Sequence, residues 1–290
     1  MVVTAGLVAL AVVARSGLCR GQVGFGPGQR ADSREALAQA KESNAPAAPA
    51  GSAAGKRGAP VEWVSIAGGT FTMGAAHVYG DEKPDHQVEI KTFEISKTAV
   101  TVEQYTECVI AGRCAKPDSG GYCNWGKAGR RRHPVNCVDW DQANQYAKFK
   151  RARLPSESEW EYAATGEGRN QDRKYPWGDE DATCERAVMS VKAGPGCGGG
   201  GTLPVCSKPA GNTAQGLCDM AGNVWQWVQD KYRSSYAGAL ADGGASEAGG
   251  PERVVRGGSW GIDGRLLRSD ARGALAPGDV YGDVGFRIAR

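Results

Sequence analysis

Alternation of apolar and polar positions begins at Val61. The stretch VEWVSIAGGTFTMG places apolar side chains at roughly every second position on either side of Gly68 and Gly69. That spacing gives one face to a core and predicts two short strands joined by a turn. HQVEIKTFEISKTAV repeats the pattern through Val88, Ile90, Phe93 and Ile95 and predicts a further strand pair, entered by a loop holding Asp81, Glu82 and Pro84. Helical spacing follows. Thr101 with Gln104, Asp139 with Gln142 and Ser156 with Glu159 each set a short side-chain oxygen three residues before a Gln or Glu. These are capping boxes, in which the oxygen accepts from an orphan amide and the longer side chain reaches back. The predicted helices continue through Tyr105 and Val109, through Ala143, Tyr146 and Ala147, and through Trp160 and Ala163. Glu157 and Glu159 are expected as a first-turn pair favoured by the helix dipole. Beyond Gly178 the pattern dissolves into CGGGGTLPVC, KPAGNTAQG and SSYAGALADGGASEAGG, which predict almost nothing but loop.

The chain starts with MVVTAGLVALAVVARSG, an apolar run without charge before Arg15. Val2 to Ala14 is too short to cross a bilayer, and with Ala14-Arg15-Ser16 it predicts an export signal over residues 1–19. The mature chain is then expected to carry no transmembrane span and to reside in the periplasm or cell envelope or to be secreted. Cys19 offers a lipid anchor as the alternative, although Leu18 sits where such a site wants a small residue. Residues 20–60 are rich in Ala, Gly, Pro and Ser and predict a disordered tether, because they cannot bury enough apolar area to offset ordering. Within it Ser33–Ser43 could form a short helix with nothing apolar to hold it down. The folded domain is expected over residues 61–290.

Composition changes this picture in four ways. Forty-three glycines and 8 tryptophans in 290 residues point to irregular loops packed on aromatic anchors. A formal net charge of +3 gives no electrostatic case for nucleic acid or an anionic membrane. Of 9 cysteines, eight remain once Cys19 is set aside with the leader. In an exported chain an even set predicts disulfides, with the connectivity open. Neighbour pairing is expected: Cys108 with Cys114, Cys123 with Cys137, Cys184 with Cys197, and Cys206 with Cys218. The 3 histidines, His77, His86 and His133, show no HxxxH or HxH spacing and do not support a histidine-built zinc or iron site. His133 in HPVNC is expected to cap a turn. No GxSxG, P-loop or strand-linked GxGxxG occurs.

The last block is RVVRGGSWGIDGRLLRSDARGALAPGDVYGDVGFRIAR. Gly257 and Gly258 allow sharp bending or close backbone approach. Trp260 is too large to leave in water without a reason. Arg265, Arg268, Arg272 and Arg287 carry planar forks suited to carboxylates, sulfates or carbonyls, so they either pin loops or line a pocket.

With TVEQY, HPVNCVDW, RLPSESEWEYAATG, YPWGDE and GLCDMAGNVWQWVQD before it, in that order, this block resembles the sulfatase-modifying-factor family, whose founding activity is the formylglycine-generating enzyme. The resemblance spans about residues 61–290. It implies an α+β, loop-rich, C-type-lectin-like variant stapled by disulfides. In the family's active enzymes one cysteine lies two residues after the aromatic of GGS-aromatic and another five residues later, and the pair binds copper(I). Those positions are Ile262 and Leu267 here, which neither ligate copper nor act as nucleophiles. The resemblance also implies a calcium site formed by Asp219, the carbonyls of Gly222 and Val224, and Gln226, where calcium-binding members carry Glu. A peptide, glycan, protein or other polar ligand is therefore expected, held by a concave surface of Trp260, Arg265, Arg268 and Arg272 without oxidase chemistry. Two alternatives remain: a family enzyme using different residues on a peptide, and a structural module of an envelope assembly.

Overall fold

Four short strands and three capped helices fill the first half of the domain in the order the spacing predicts. The computed structural model describes residues 59–75, 80–168 and 173–290. All of these fall in the compact unit Ala54–Arg290. The expected export signal, Cys19, the tether with its Ser33–Ser43 helix, and His77 lie outside the described residues.

The strands are β1 (Trp63–Ile66), β2 (Gly69–Met73), β3 (His86–Ile90) and β4 (Phe93–Ser96). They do not pair as two successive hairpins. β2 pairs with β3 and β1 with β4, both antiparallel. The helices are α1 (Val102–Ile110), α2 (Trp140–Phe149) and α3 (Glu157–Ala164), and all three capping boxes are formed. In α3, for example, Glu159 N donates to Ser156 Oγ at 3.1 Å while Ser156 N donates to Glu159 Oε2 at 2.9 Å. Replacing such a cap by Ala costs about 1 kcal/mol.

The second half departs from the expectation of continuous loop. Strands β5 (Trp225–Lys231), β6 (Arg253–Arg256), β7 (Arg272–Leu275) and β8 (Val284–Phe286) form one sheet in the order β7-β6-β5-β8. β5–β6 and β6–β7 are antiparallel, and β5–β8 is parallel. These strands gave no clean alternation because both faces of the sheet are covered. Trp227, Val255 and Phe286 belong to a core shared with Tyr105 of α1 and Tyr146 of α2. Val228 and Val254 point the other way, into a core with Trp160 of α3, Phe71 of β2 and Val88 of β3. The sheet is thus a partition between two cores.

Four disulfides join Cys108–Cys114, Cys123–Cys137, Cys184–Cys197 and Cys206–Cys218, the neighbour pairing expected. Each closes a short loop and restrains the unfolded chain by roughly 2–3 kcal/mol. Such bonds persist in oxidising compartments. Among the described residues no helix is long and apolar enough to cross a membrane.

Candidate functional site

One polar row crosses the partition sheet. Register pairs Gln226 of β5 with Arg256 of β6, and Arg256 with Arg272 of β7. Helix α3 answers this row with Glu157, Trp160 and Glu161, which share one face at helical spacing. Arg272 grips Glu157 with both arms, Nε to Oε1 at 2.6 Å and Nη2 to Oε2 at 2.8 Å. Arg256 pairs with Glu161. Trp160 Nε1 donates to Gln226 Oε1 at 2.9 Å. The two acids read as a first-turn pair therefore part company: Glu159 caps α3 and pairs with Arg153, whereas Glu157 turns inward.

The arginines of the last block are chiefly pins. Arg272 Nη1 also donates to the carbonyls of Asp81, at 2.6 Å, and Arg233, at 3.0 Å. Fully buried Arg256 donates to the carbonyls of Ser269, Asp270 and Ala271. Arg268 is buried too, paired with Glu82 and Asp270. Arg265 is exposed and paired with Asp263 at 2.7 Å. The set expected on one concave surface is thus divided: Arg268 and Arg272 tie down the Asp81–Glu82 strap, and Trp260 lies against Tyr122 and Gly282.

Arg272 does border a cleft, together with Met73, His86, Glu157, Asp230 and Tyr236. Its volume is about 30 Å³, room for a water or two and not for a substrate. Its carboxylates are strongly perturbed. Burial pushes Asp230 up to about 7, and the Glu157 charge adds to the effect. In the polar row, outside the cleft lining, burial pushes Glu161 up to about 7 against the pull of Arg256. Glu157 is desolvated as well, yet Arg272 and Arg256 hold it below its ordinary value.

At the two positions where the resemblance implies thiols, hydrocarbon fills the space. Leu267 is fully buried, packed with Tyr175, Ala187, Met189 and Ala221, and Ile262 lies partly buried beside it. Gly258, at φ +71°, lets the backbone run over them; a Cβ there would sit 2.4 Å from Leu267 Cδ2. This is the close approach anticipated for the glycine pair.

Trp260 is itself buried, at 7% exposed, beneath a more open cluster. Its Nε1 donates to Gly282 O at 3.0 Å, and its ring lies 5.0 Å from that of Tyr122. Tyr122 is 63% exposed, Tyr281 39% and Val280 38%, an unusual concentration of exposed apolar groups. Beneath them Ser259 Oγ accepts from Gly261 N at 3.2 Å and donates to Asp283 Oδ2 at 2.8 Å. Burial holds the Asp283 carboxyl above the usual range. Sequence reasoning missed Tyr122, Tyr281 and Asp283, because Tyr122 lies in a loop far along the chain from the one that holds the other two. Asn136 joins those loops by donating to Tyr122 O at 2.9 Å and Gly282 O at 2.5 Å.

The groups expected to hold calcium lie in the turn leading into β5 and at its second residue, Gln226, whose amide does not fit the ion. Gln226 Oε1 already accepts from Trp160 Nε1 and, at 2.5 Å, from Arg287 Nε. Gln226 Nε2 donates to Asp219 O at 2.8 Å. Two donors on one end and a carbonyl on the other leave only one orientation for the amide. No acceptor of Gln226 is left for a metal, and the Arg287 guanidinium stands beside the turn. Among the described residues no group of three His, Cys, Asp or Glu is placed to hold a metal.

Residues 50–290 match the family described as the sulfatase-modifying factor enzyme 1-like domain. Formylglycine-generating enzyme of Streptomyces coelicolor is 32% identical over 311 residues, covering 87% of this chain and 96% of its own. Serine/threonine-protein kinase pkn1 of Chlamydia caviae is 33% identical over 253 residues, covering 79% of this chain; the chain spans only 38% of that relative's length. Among solved structures, PvdO from Pseudomonas aeruginosa aligns with a TM-score of 0.67 at 30% identity, over 81% of this chain and 99% of PvdO.

Proposed function

The chain belongs to the sulfatase-modifying factor enzyme 1-like family, and from that premise we propose that its domain binds a ligand without performing formylglycine generation. The observation that carries the reading is the hydrocarbon pair Ile262 and Leu267, the latter fully buried. A side chain without sulfur, closed off from solvent, neither binds copper(I) nor forms a mixed disulfide. Binding falls to the surface around Trp260, where Tyr122, Val280 and Tyr281 are exposed over the Asp283 carboxylate. Of a peptide, a glycan or another polar ligand, a peptide with a cationic side chain suits this surface best. Aromatic faces attract cations, and a desolvated carboxylate gains from a charged donor. The four disulfides support export to an oxidising compartment.

The test has two arms. The purified protein is incubated with copper, oxygen and a cysteine-containing sulfatase peptide and followed by mass spectrometry; the expected result is unchanged peptide, and aldehyde product would overturn the reading. Calorimetry with arginine-bearing peptides should show saturable binding that weakens at least about tenfold in Tyr122→Ala and in Asp283→Asn, a loss of about 1.4 kcal/mol. The likeness to the Streptomyces coelicolor enzyme over 96% of its length favours a second reading, a family enzyme acting through other residues. Turnover of a peptide that survives Ile262→Ala and Leu267→Ala would select it.

A further inference from the structure

We propose that the Gln226 side-chain amide takes the place of a divalent cation as the cross-link of the Asp219–Gln226 turn, so that the domain reaches full stability without calcium. The argument is one of donors and charge. Gln226 is completely buried, and its two ends do different jobs. Oε1 collects N–H groups from Trp160 and Arg287, which ties the turn to α3 and to the chain end. Nε2 supplies the hydrogen that bridges to Asp219 O at 2.8 Å. Glu has the same shape but no such hydrogen. It would set an oxygen against the Asp219 carbonyl at that separation, two acceptors with nothing between them, unless a cation entered.

The charges agree. Arg287 is fully buried and donates to Ser96 O at 3.0 Å and Cys218 O at 2.8 Å. Asp219 is the anion that opposes it, also buried, and it accepts from Cys206 N at 2.8 Å. With a neutral amide at 226, one cation and one anion balance. A dication added to this set would leave two uncompensated positive charges in a desolvated place, which is strongly unfavourable.

The experiment compares thermal unfolding of the full chain, disulfides intact, in EDTA and in millimolar calcium chloride, with metal analysis of the dialysed protein. The wild type should retain no stoichiometric calcium and unfold at the same temperature in both. Gln226→Glu should unfold at least roughly 5 °C lower in EDTA and recover with calcium. Gln226→Met, which keeps the volume and loses both bonds, should be destabilised equally with and without calcium. Stoichiometric calcium in the wild type, a calcium-dependent rise in its midpoint, or a Gln226→Glu protein as stable as wild type in EDTA overturns the proposal. If Gln226→Glu does not accumulate as folded protein, the wild-type comparison decides alone, by the same criteria.

Discussion

Arg272→Met separates the two roles open to the arginines of the last block. The guanidinium holds both Glu157 oxygens, at 2.6 and 2.8 Å, and the carbonyls of Asp81 and Arg233. Methionine fills much of the volume but strands the carboxylate, leaving it the Tyr236 hydroxyl at 3.1 Å and Arg256 Nε at 3.6 Å. Removing one member of a buried pair typically costs about 3–5 kcal/mol, because the surviving charge stays desolvated. In a domain of this size each kcal/mol moves the midpoint by about 2–4 °C, so the expected drop is about 6–20 °C. Thermal unfolding followed by tryptophan fluorescence, with disulfides intact, measures it. Adding Glu157→Gln should cost less than the sum of the single changes, by about 1–3 kcal/mol. Below the new midpoint the folded protein should bind its ligand as the wild type does. A stability loss under about 1 kcal/mol accompanied by lost binding would refute the assignment of Arg272 as a pin.

Further outcomes follow from the same contacts. Gly211→Ala brings a Cβ to 1.8 Å from Arg186 O, so backbone must move; a loss of about 3 kcal/mol should appear as a lower urea midpoint with unchanged slope. Leu267→Ala opens a cavity among Tyr175, Met189 and Ala221 and should cost about 2–5 kcal/mol in the same assay. Burial, with the Arg130 charge adding, pushes His133 from 6.5 down to about 4, so its contribution to stability is present above 6.5 and lost on acidification toward 4. Asp230 and Glu161, raised to about 7, act in the opposite sense, lowering stability as pH rises from the ordinary carboxylate range to 7. The difference between wild type and His133→Asn therefore isolates the histidine: the acid limb flattens in the variant, and parallel pH profiles would contradict the reading.

Local chemistry was legible in the sequence, and partnership was not. A capping box is complete within four residues, so Thr101, Asp139 and Ser156 disclosed three helix starts correctly. The disulfide pairing followed chain order because every bridge is local. By contrast, Arg256 looks like any surface arginine until β6 is paired on both sides and α3 brings Glu161 to it. β5 and β6 carry no strand signal because Trp227 and Val228 face different cores and erase the alternation that marks a half-exposed strand. The chain order alone puts Gln226 seven residues after Asp219, but which end of its amide faces Asp219 depends on Trp160, 66 residues away. Tyr122, Tyr281 and Asp283 come together through loops that carry no periodicity.

No bridge in this domain encloses or crosses another: the loops Cys108–Cys114, Cys123–Cys137, Cys184–Cys197 and Cys206–Cys218 follow one after the next. A chain threaded N-terminus first into an oxidising space can close each pair as its second thiol arrives, before the next pair emerges. Correct pairing then needs an oxidant alone, and a reshuffling isomerase has nothing to repair.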